Sequence, residues 1–366
     1  MSLQPPASFL LAVLAAAAPP LLGGQDGARV RVPPEVGAVA KPLEQVNWYY
    51  TGPEGRIPAI ADLRGQVVLV HTWGYYCPPC VSDSVPYVVD LMKAHRGRGL
   101  RAYSISVPIS DGKPDEHCVE VGRAMGIDHP MGVADGYGAM TPYLNMNVNR
   151  ALTWCFVIGR EGGVRWAGDP SRDDEEFLEA VRTALFEEPL PPLPEEVPEP
   201  LSAAVRLYVA RELARARDEA AKVLAKHEKP RQDAETAAAA AQLVEQIDLH
   251  REQLVERLEA AFAARDAEAF LAARTPLLER FPKTDAAKRI AELDLQVKRD
   301  EAFRRELDRW KAWDALRRSA PALFPIRADR ETKRYAKELR KYVDGAEPDA
   351  PGLDEARKMI ESFSAE

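Results

Sequence analysis

The chain has 366 residues, 46% hydrophobic and 29% charged, with a formal net charge of −8 at pH 7 and a pI near 5.5. That balance describes a globular protein with room for two domains and excludes nucleic acid as the main partner. There is no glycine-rich phosphate loop and no HExxH metal motif.

Residues 1–24 read as a secretory signal. The apolar run Phe9–Leu14 continues through Ala15–Ala18 and stops at Pro19-Pro20. It is shorter than the roughly 20 residues of a membrane span but fits a signal core. No Lys or Arg precedes it, so only the amino terminus is positive there. Cleavage near Gly24 is expected, and no cysteine follows the core to carry a lipid. The expected location is extracytoplasmic, periplasmic or secreted, where disulfides persist.

The apolar run Val67–Val70 leads into Cys77-Pro78-Pro79-Cys80, and a helix-like run follows from Ser82 to His95. Two cysteines three apart at a strand-to-helix junction can close a small disulfide ring and reopen it. If a helix starts here, Cys77 is its N-cap, Pro78 fills the first helical position and Cys80 lies one turn in. The Cys77 thiol then meets the positive end of the helix dipole, which favours the thiolate. Attack on a disulfide needs that thiolate, and Cys80 is close enough to resolve the mixed disulfide. Pro79 removes an N–H from beside Cys77, so a milder thiolate is expected, towards the reducing end of roughly −270 to −120 mV. Half of a zinc site is one alternative, but tetrahedral zinc needs two more ligands, and Cys118 and Cys155 stand isolated. No metal and no cofactor beyond the Cys77–Cys80 couple is expected. A static structural disulfide stays open.

From about residue 36 to 186 the chain resembles the TlpA-like thiol–disulfide oxidoreductases of the thioredoxin superfamily. The motif and the preceding Leu63-Arg64-Gly65-Gln66-Val67-Val68-Leu69-Val70 carry the likeness, with Leu100–Val107 resembling the family's next central strand. Phe156–Val164 resembles its late hairpin, turning at Gly162-Gly163, and Trp166-Ala167-Gly168 follows. The resemblance implies an α/β thioredoxin-like domain, a central mixed sheet flanked by helices. It also implies a protein dithiol or disulfide as substrate and an external electron donor.

Three positions depart from that pattern. Thr153 stands where members carry a cis-proline three residues before the late-strand phenylalanine, which bears on how substrate is held. A cis bond before a non-proline costs about 3 kcal/mol, so a trans bond is expected here. Tyr76 replaces the usual tryptophan before the first cysteine, while Trp73 matches the upstream one. His71 falls where many members bury a carboxylate beneath the second cysteine; it reads either as a proton acceptor for Cys80 or as a core histidine. Cys155, in an apolar strand-like run, reads as a small buried hydrophobe, and a disulfide to Cys118 stays open.

Residues 187–200 form a proline-rich acidic linker, for which an extended spacer of about 3.1 Å per residue is expected. Residues 201–366 then change character: glycine nearly vanishes and strong helix formers dominate. Helices are predicted over Leu201–His227, Ala234–Ala264, Asp266–Arg280, from a Thr284 cap onward, Glu301–Ser319, Thr332–Val343 and Leu353–Phe363. The Asp266–Ala287 stretch has a weak tetratricopeptide flavour without a second copy at that period. His250 interrupts the apolar stripe of the second helix, and charged faces read as solvated.

The sequence therefore predicts a thioredoxin-like domain followed by an all-α domain that binds a protein partner or dimerises. Cys77 would attack and Cys80 resolve, with Trp73, Tyr76, Pro78, Pro79, Thr153 and His71 lining or modulating the site. A rival reading is a non-catalytic scaffold with a static disulfide. A lesser one is a thiol peroxidase, disfavoured because Gly74 holds the place of the threonine such enzymes need.

Overall fold

The computed structural model describes residues 35–44, 46–107, 112–134, 152–227, 233–323 and 330–364. The signal segment expected at residues 1–24 lies outside them. No helix among the described residues is long and apolar enough to cross a membrane.

Six strands build one mixed sheet: β1 (Val46–Tyr50), β2 (Val67–Trp73), β3 (Leu100–Ser106), β4 (Met131–Ala134), β5 (Trp154–Ile158) and β6 (Val164–Gly168), in the order β1-β4-β3-β2-β5-β6. The pairs β2/β3 and β3/β4 are parallel, whereas β1/β4, β2/β5 and β5/β6 are antiparallel. Every residue of β2 is buried, as its unbroken apolar run requires of a strand covered on both faces. The β5–β6 hairpin turns at Gly162, whose φ of 90° suits glycine. Helices α1 (Val85–His95) and α3 (Asp174–Phe186) bury Val88, Leu91, Phe177 and Val181 against one face of the sheet. Helix α2 (Glu116–Ala124) leads back towards β4.

Eight further helices follow among the described residues: α4 (Ser202–Val209), α5 (Leu213–His227), α6 (Ala234–Ala264), α7 (Ala267–Arg280), α8 (Asp285–Arg299), α9 (Glu301–Arg318), α10 (Arg330–Gly345) and α11 (Leu353–Ser364). Carboxylates start three of them by accepting orphan backbone N–H groups: Asp233 for α6, Asp266 for α7 and Asp300 for α9. Thr284 precedes α8 as expected, but its hydroxyl donates to Phe281 O at 2.7 Å instead of capping the helix.

Two expectations for this region need correction. The single helix expected over Leu201–His227 is two, broken where Arg211 adopts φ 65°. That bend delivers the Arg211 guanidinium to Glu187 and to the Glu188 carbonyl, a tertiary gain that local helix propensity does not register. His250 does not interrupt the α6 stripe; it belongs to the buried face, with its Nε2 3.3 Å from Arg280 Nη1.

The proline-rich connector is extended but not free. Leu190 and Leu193 sink into the core of the helical region, 4% and 3% exposed. Tyr208 Oη donates to Pro191 O at 2.7 Å, and Gln246 Nε2 donates to Pro192 O at 3.0 Å. Glu188 receives both Arg257 and Arg280.

The helical region meets the sheet at the β5–β6 turn. Gly163 lies so close to Val209 that a Cβ there would come within 2.2 Å of its methyl. Leu193 N donates to Glu161 O at 2.8 Å, and Arg165 bridges the buried Glu161 carboxylate while reaching the Val209 carbonyl. The registers Val68↔Ile158 and Thr72↔Trp154 put this turn at the start of β2, the end opposite Cys77. Farther along the chain, Ala322 and Leu323 complete the α1/α3 core, and His95 bonds the Ala322 carbonyl.

Candidate redox site

The site forms where β2 ends. Beyond Trp73 the chain turns through Gly74-Tyr75-Tyr76, and the helix begins at Pro78. The Cys77 carbonyl accepts from Cys80 N at 3.0 Å and Val81 N at 3.2 Å, as the carbonyl of an N-cap residue does. A π turn over Cys80–Ser84 carries the chain into α1; such turns recur at functional sites. Cys77 and Cys80 are disulfide-linked, with Cα atoms 5.2 Å apart.

The two sulfurs occupy different surroundings. Cys77 is half-buried, beside exposed Pro78 and Pro79, while Cys80 is wholly buried among Trp73, Val85, Val89, Ile127 and Met131. Trp73, 1% exposed, is therefore part of the floor behind Cys80 rather than of the outer face. Tyr76 folds back over Gly74 and donates from its hydroxyl to Val107 O at 3.1 Å, tying the motif loop to the end of β3. Only a glycine fits under that ring, since a Cβ at residue 74 would lie 2.9 Å from it.

His71 lies beneath the turn, buried completely, with Nε2 3.0 Å from Ser84 Oγ. The Ser84 hydroxyl is also 3.4 Å from Cys80 O, to which it can donate. His71 Nδ1 has no hydrogen-bond partner among the described residues. Burial chiefly, then nearby His129, lowers its pKa to about 3 against a small opposing pull from Asp169; the ring is neutral. His71 is a core histidine, linked through Ser84 to the backbone carbonyl of Cys80.

Thr153, 2% exposed, adopts φ 74°, an outlier for a β-branched residue. Its neighbours are held firmly: Thr72 Oγ1 donates to Trp154 O at 3.1 Å, and Leu152 packs in the cluster that contains Cys77.

Several neighbours were not legible in the sequence. Ser84 gave no signal beyond its position in the helix. His129 lies buried with Nε2 2.8 Å from Ser104 Oγ, and Ser104 pairs in register with His71 across β2/β3. Tyr75, beside the motif, stacks edge-on with His117 at 5.0 Å and lies under Lys113 Nζ at 4.8 Å, so α2 approaches the motif. Cys155, in register with His71, and Cys118 are both buried, and no disulfide joins them. Burial pushes the Cys155 thiol far up, which leaves it inert. Among the described residues no His, Cys, Asp and Glu cluster could hold a metal ion.

No family model matches the chain. It is 26% identical over 132 residues to the thiol-disulfide oxidoreductase ResA of Geobacillus thermodenitrificans, covering 35% of this chain and 71% of that protein. The ResA of Geobacillus kaustophilus is 24% identical over 151 residues, 40% of this chain and 82% of its own. Among solved structures, a thioredoxin-family thiol:disulfide interchange protein from Chlorobium tepidum is 24% identical, with TM-score 0.30 over 40% of this chain and 99% of its own. The mixed sheet, the CPPC couple at the end of its central strand and these curated relatives agree: the N-terminal two fifths of this chain is similar to thiol–disulfide oxidoreductases of the ResA kind.

Proposed function

We propose that this protein is an extracytoplasmic thiol–disulfide oxidoreductase in which Cys77 attacks and Cys80 resolves, reducing disulfides in exported client proteins. The observation that carries the assignment of roles is the asymmetry of the pair: Cys77 meets solvent at a helix N-terminus, Cys80 does not. Starting from the dithiol, the Cys77 thiolate attacks one client sulfur, the client disulfide breaks and its other sulfur leaves as a thiolate. Cys80 then loses its proton and attacks Cys77 Sγ; the mixed disulfide breaks and the second client thiolate leaves. The client gains two electrons and, from the thiols and solvent, two protons, while Cys77–Cys80 closes. Renewed turnover requires an external dithiol donor. His71 lies beneath Cys80 and, through Ser84, helps position its backbone carbonyl. Tyr76, Pro78, Pro79 and Thr153 shape the rim and Trp73 the floor. The lean towards reduction rests on Pro79, whose missing N–H leaves the Cys77 thiolate less stabilised. The extracytoplasmic location rests on the apolar core at Phe9–Ala18.

Insulin reduction with dithiothreitol as donor tests the assignment. Cys77→Ser should abolish it, and Cys80→Ser should accumulate a mixed disulfide visible by mass. The scaffold reading keeps one observation in its favour, the buried Thr153 where members carry proline. A Cys77/Cys80 potential below about −300 mV, as in structural disulfides, together with no insulin reduction, would establish it instead.

A further inference from the structure

Helix α10 carries six Lys and Arg residues against three acids, within a chain whose net charge is −8. Its apolar side, Thr332, Tyr335, Ala336 and Leu339, is buried against the rest of the C-terminal helices. Arg330, Lys333, Arg334, Lys337, Arg340 and Lys341 are all exposed. The arrangement around Lys337 is unusual for a solvated face. Residues three and four away are its neighbours on a helix, and all four here are basic: Lys333, Arg334, Arg340 and Lys341. Like charges at that spacing destabilise a helix.

The other helices of this region behave differently. Arg215 pairs with Glu212, Lys222 with Glu219, Lys288 with Asp285, Lys311 with Asp308 and Arg357 with Asp354, each three residues apart. Lys333, Arg334, Lys337 and Lys341 enter no ion pair among the described residues. Arg330 and Arg334 share a crevice with Asp174, Glu175 and Glu179 of α3. The ridge left facing outward is Lys333, Lys337 and Lys341, spanning about 12 Å at 1.5 Å per residue.

We propose that this ridge is an electrostatic docking face for a surface of anionic phospholipid headgroups. Charge complementarity selects the occupant. A stable protein partner needs an apolar centre inside its polar rim, with lysine depleted. The large exposed hydrophobics of the described residues are Val36, Tyr49, Val81, Leu249, Leu278 and Leu295, none of them on α10. A headgroup layer needs only charge, and long flexible lysines suit its diffuse field. Because the apolar side of α10 is already buried, the helix would lie on the layer without inserting. This inference does not depend on the redox reading.

Co-sedimentation of the full chain with phospholipid vesicles tests it. Binding is expected to vesicles of phosphatidylcholine with roughly a third phosphatidylglycerol at low salt, to fail with phosphatidylcholine alone and to be reversed by salt. The triple variant Lys333→Glu, Lys337→Glu, Lys341→Glu should lower the partition coefficient at least about tenfold, with thiol exchange at Cys77 unchanged. A Lys→Gln version at the same positions serves if the glutamates disturb folding. Absence of vesicle binding at low salt overturns the proposal, as does equal binding by the variants. Capture of soluble polyglutamate without vesicle binding also overturns it and reassigns the ridge to an acidic polypeptide.

Discussion

His71 Nε2 lies 3.0 Å from Ser84 Oγ, and the Ser84 hydroxyl reaches the backbone carbonyl of Cys80 at 3.4 Å. A neutral imidazole is thereby held beneath Cys80 through one hydroxyl, with its second nitrogen out of water and without a hydrogen-bond partner among the described residues.

That burial makes stability pH-dependent. His71 and His129 each have a folded pKa of about 3, chiefly from burial, below the ordinary 6.5. Between those values the unfolded chain binds the proton and the folded one does not, so stability is full above pH 6.5 and falls as pH drops towards 3. Each histidine should contribute about 2 kcal/mol of loss between pH 6.5 and 5, at 1.36 kcal/mol per unit. Denaturant titrations at the two pH values check this. A His129→Asn variant whose loss matches the wild type would refute the assignment.

Gly74 and Tyr76 should show coupled energetics. Gly74→Ala places a Cβ 2.9 Å from the Tyr76 ring and should cost about 1–3 kcal/mol as overpacking. In Tyr76→Ala the same substitution should cost far less. Additive effects in this double-mutant cycle would show that the ring does not occupy that space in solution.

Thr153→Gly should relieve a strain of about 1–3 kcal/mol at φ 74°, part of it offset by the greater freedom of glycine when unfolded. A net gain in denaturation midpoint is expected, with altered insulin-reduction kinetics because the residue adjoins the Cys77 cluster. A clear loss of stability would mean that the Thr153 side chain contributes more than its backbone costs.

The two halves should unfold together. Leu323→Ala removes a side chain from the α1/α3 core and should cost about 2–5 kcal/mol across the whole transition. Tryptophan fluorescence and far-ultraviolet circular dichroism should report one midpoint, lowered by that amount. Two separate transitions, with only the helical one moved, would mean that the contact seen at Ala322 and Leu323 is dispensable for the sheet.

What the sequence determined by itself was what short-range chemistry controls. Proline after Cys77 fixes a helix start, the Val67–Val70 run demands a covered strand, Gly162-Gly163 makes a turn, and the periodic leucines of α6 define a buried stripe. These signals lie within a few residues of the feature they produce, so the couple and the fold class were legible. Tertiary structure decided the rest. The break at Arg211 follows from acids of the connector more than twenty residues earlier, and the connector is held down by leucines whose pocket belongs to other helices. The neutrality of His71 depends on complete burial and then on His129, and the place of His250 on Arg280. Burial and ion pairing are properties of a neighbourhood, and that neighbourhood exists only once distant segments have packed.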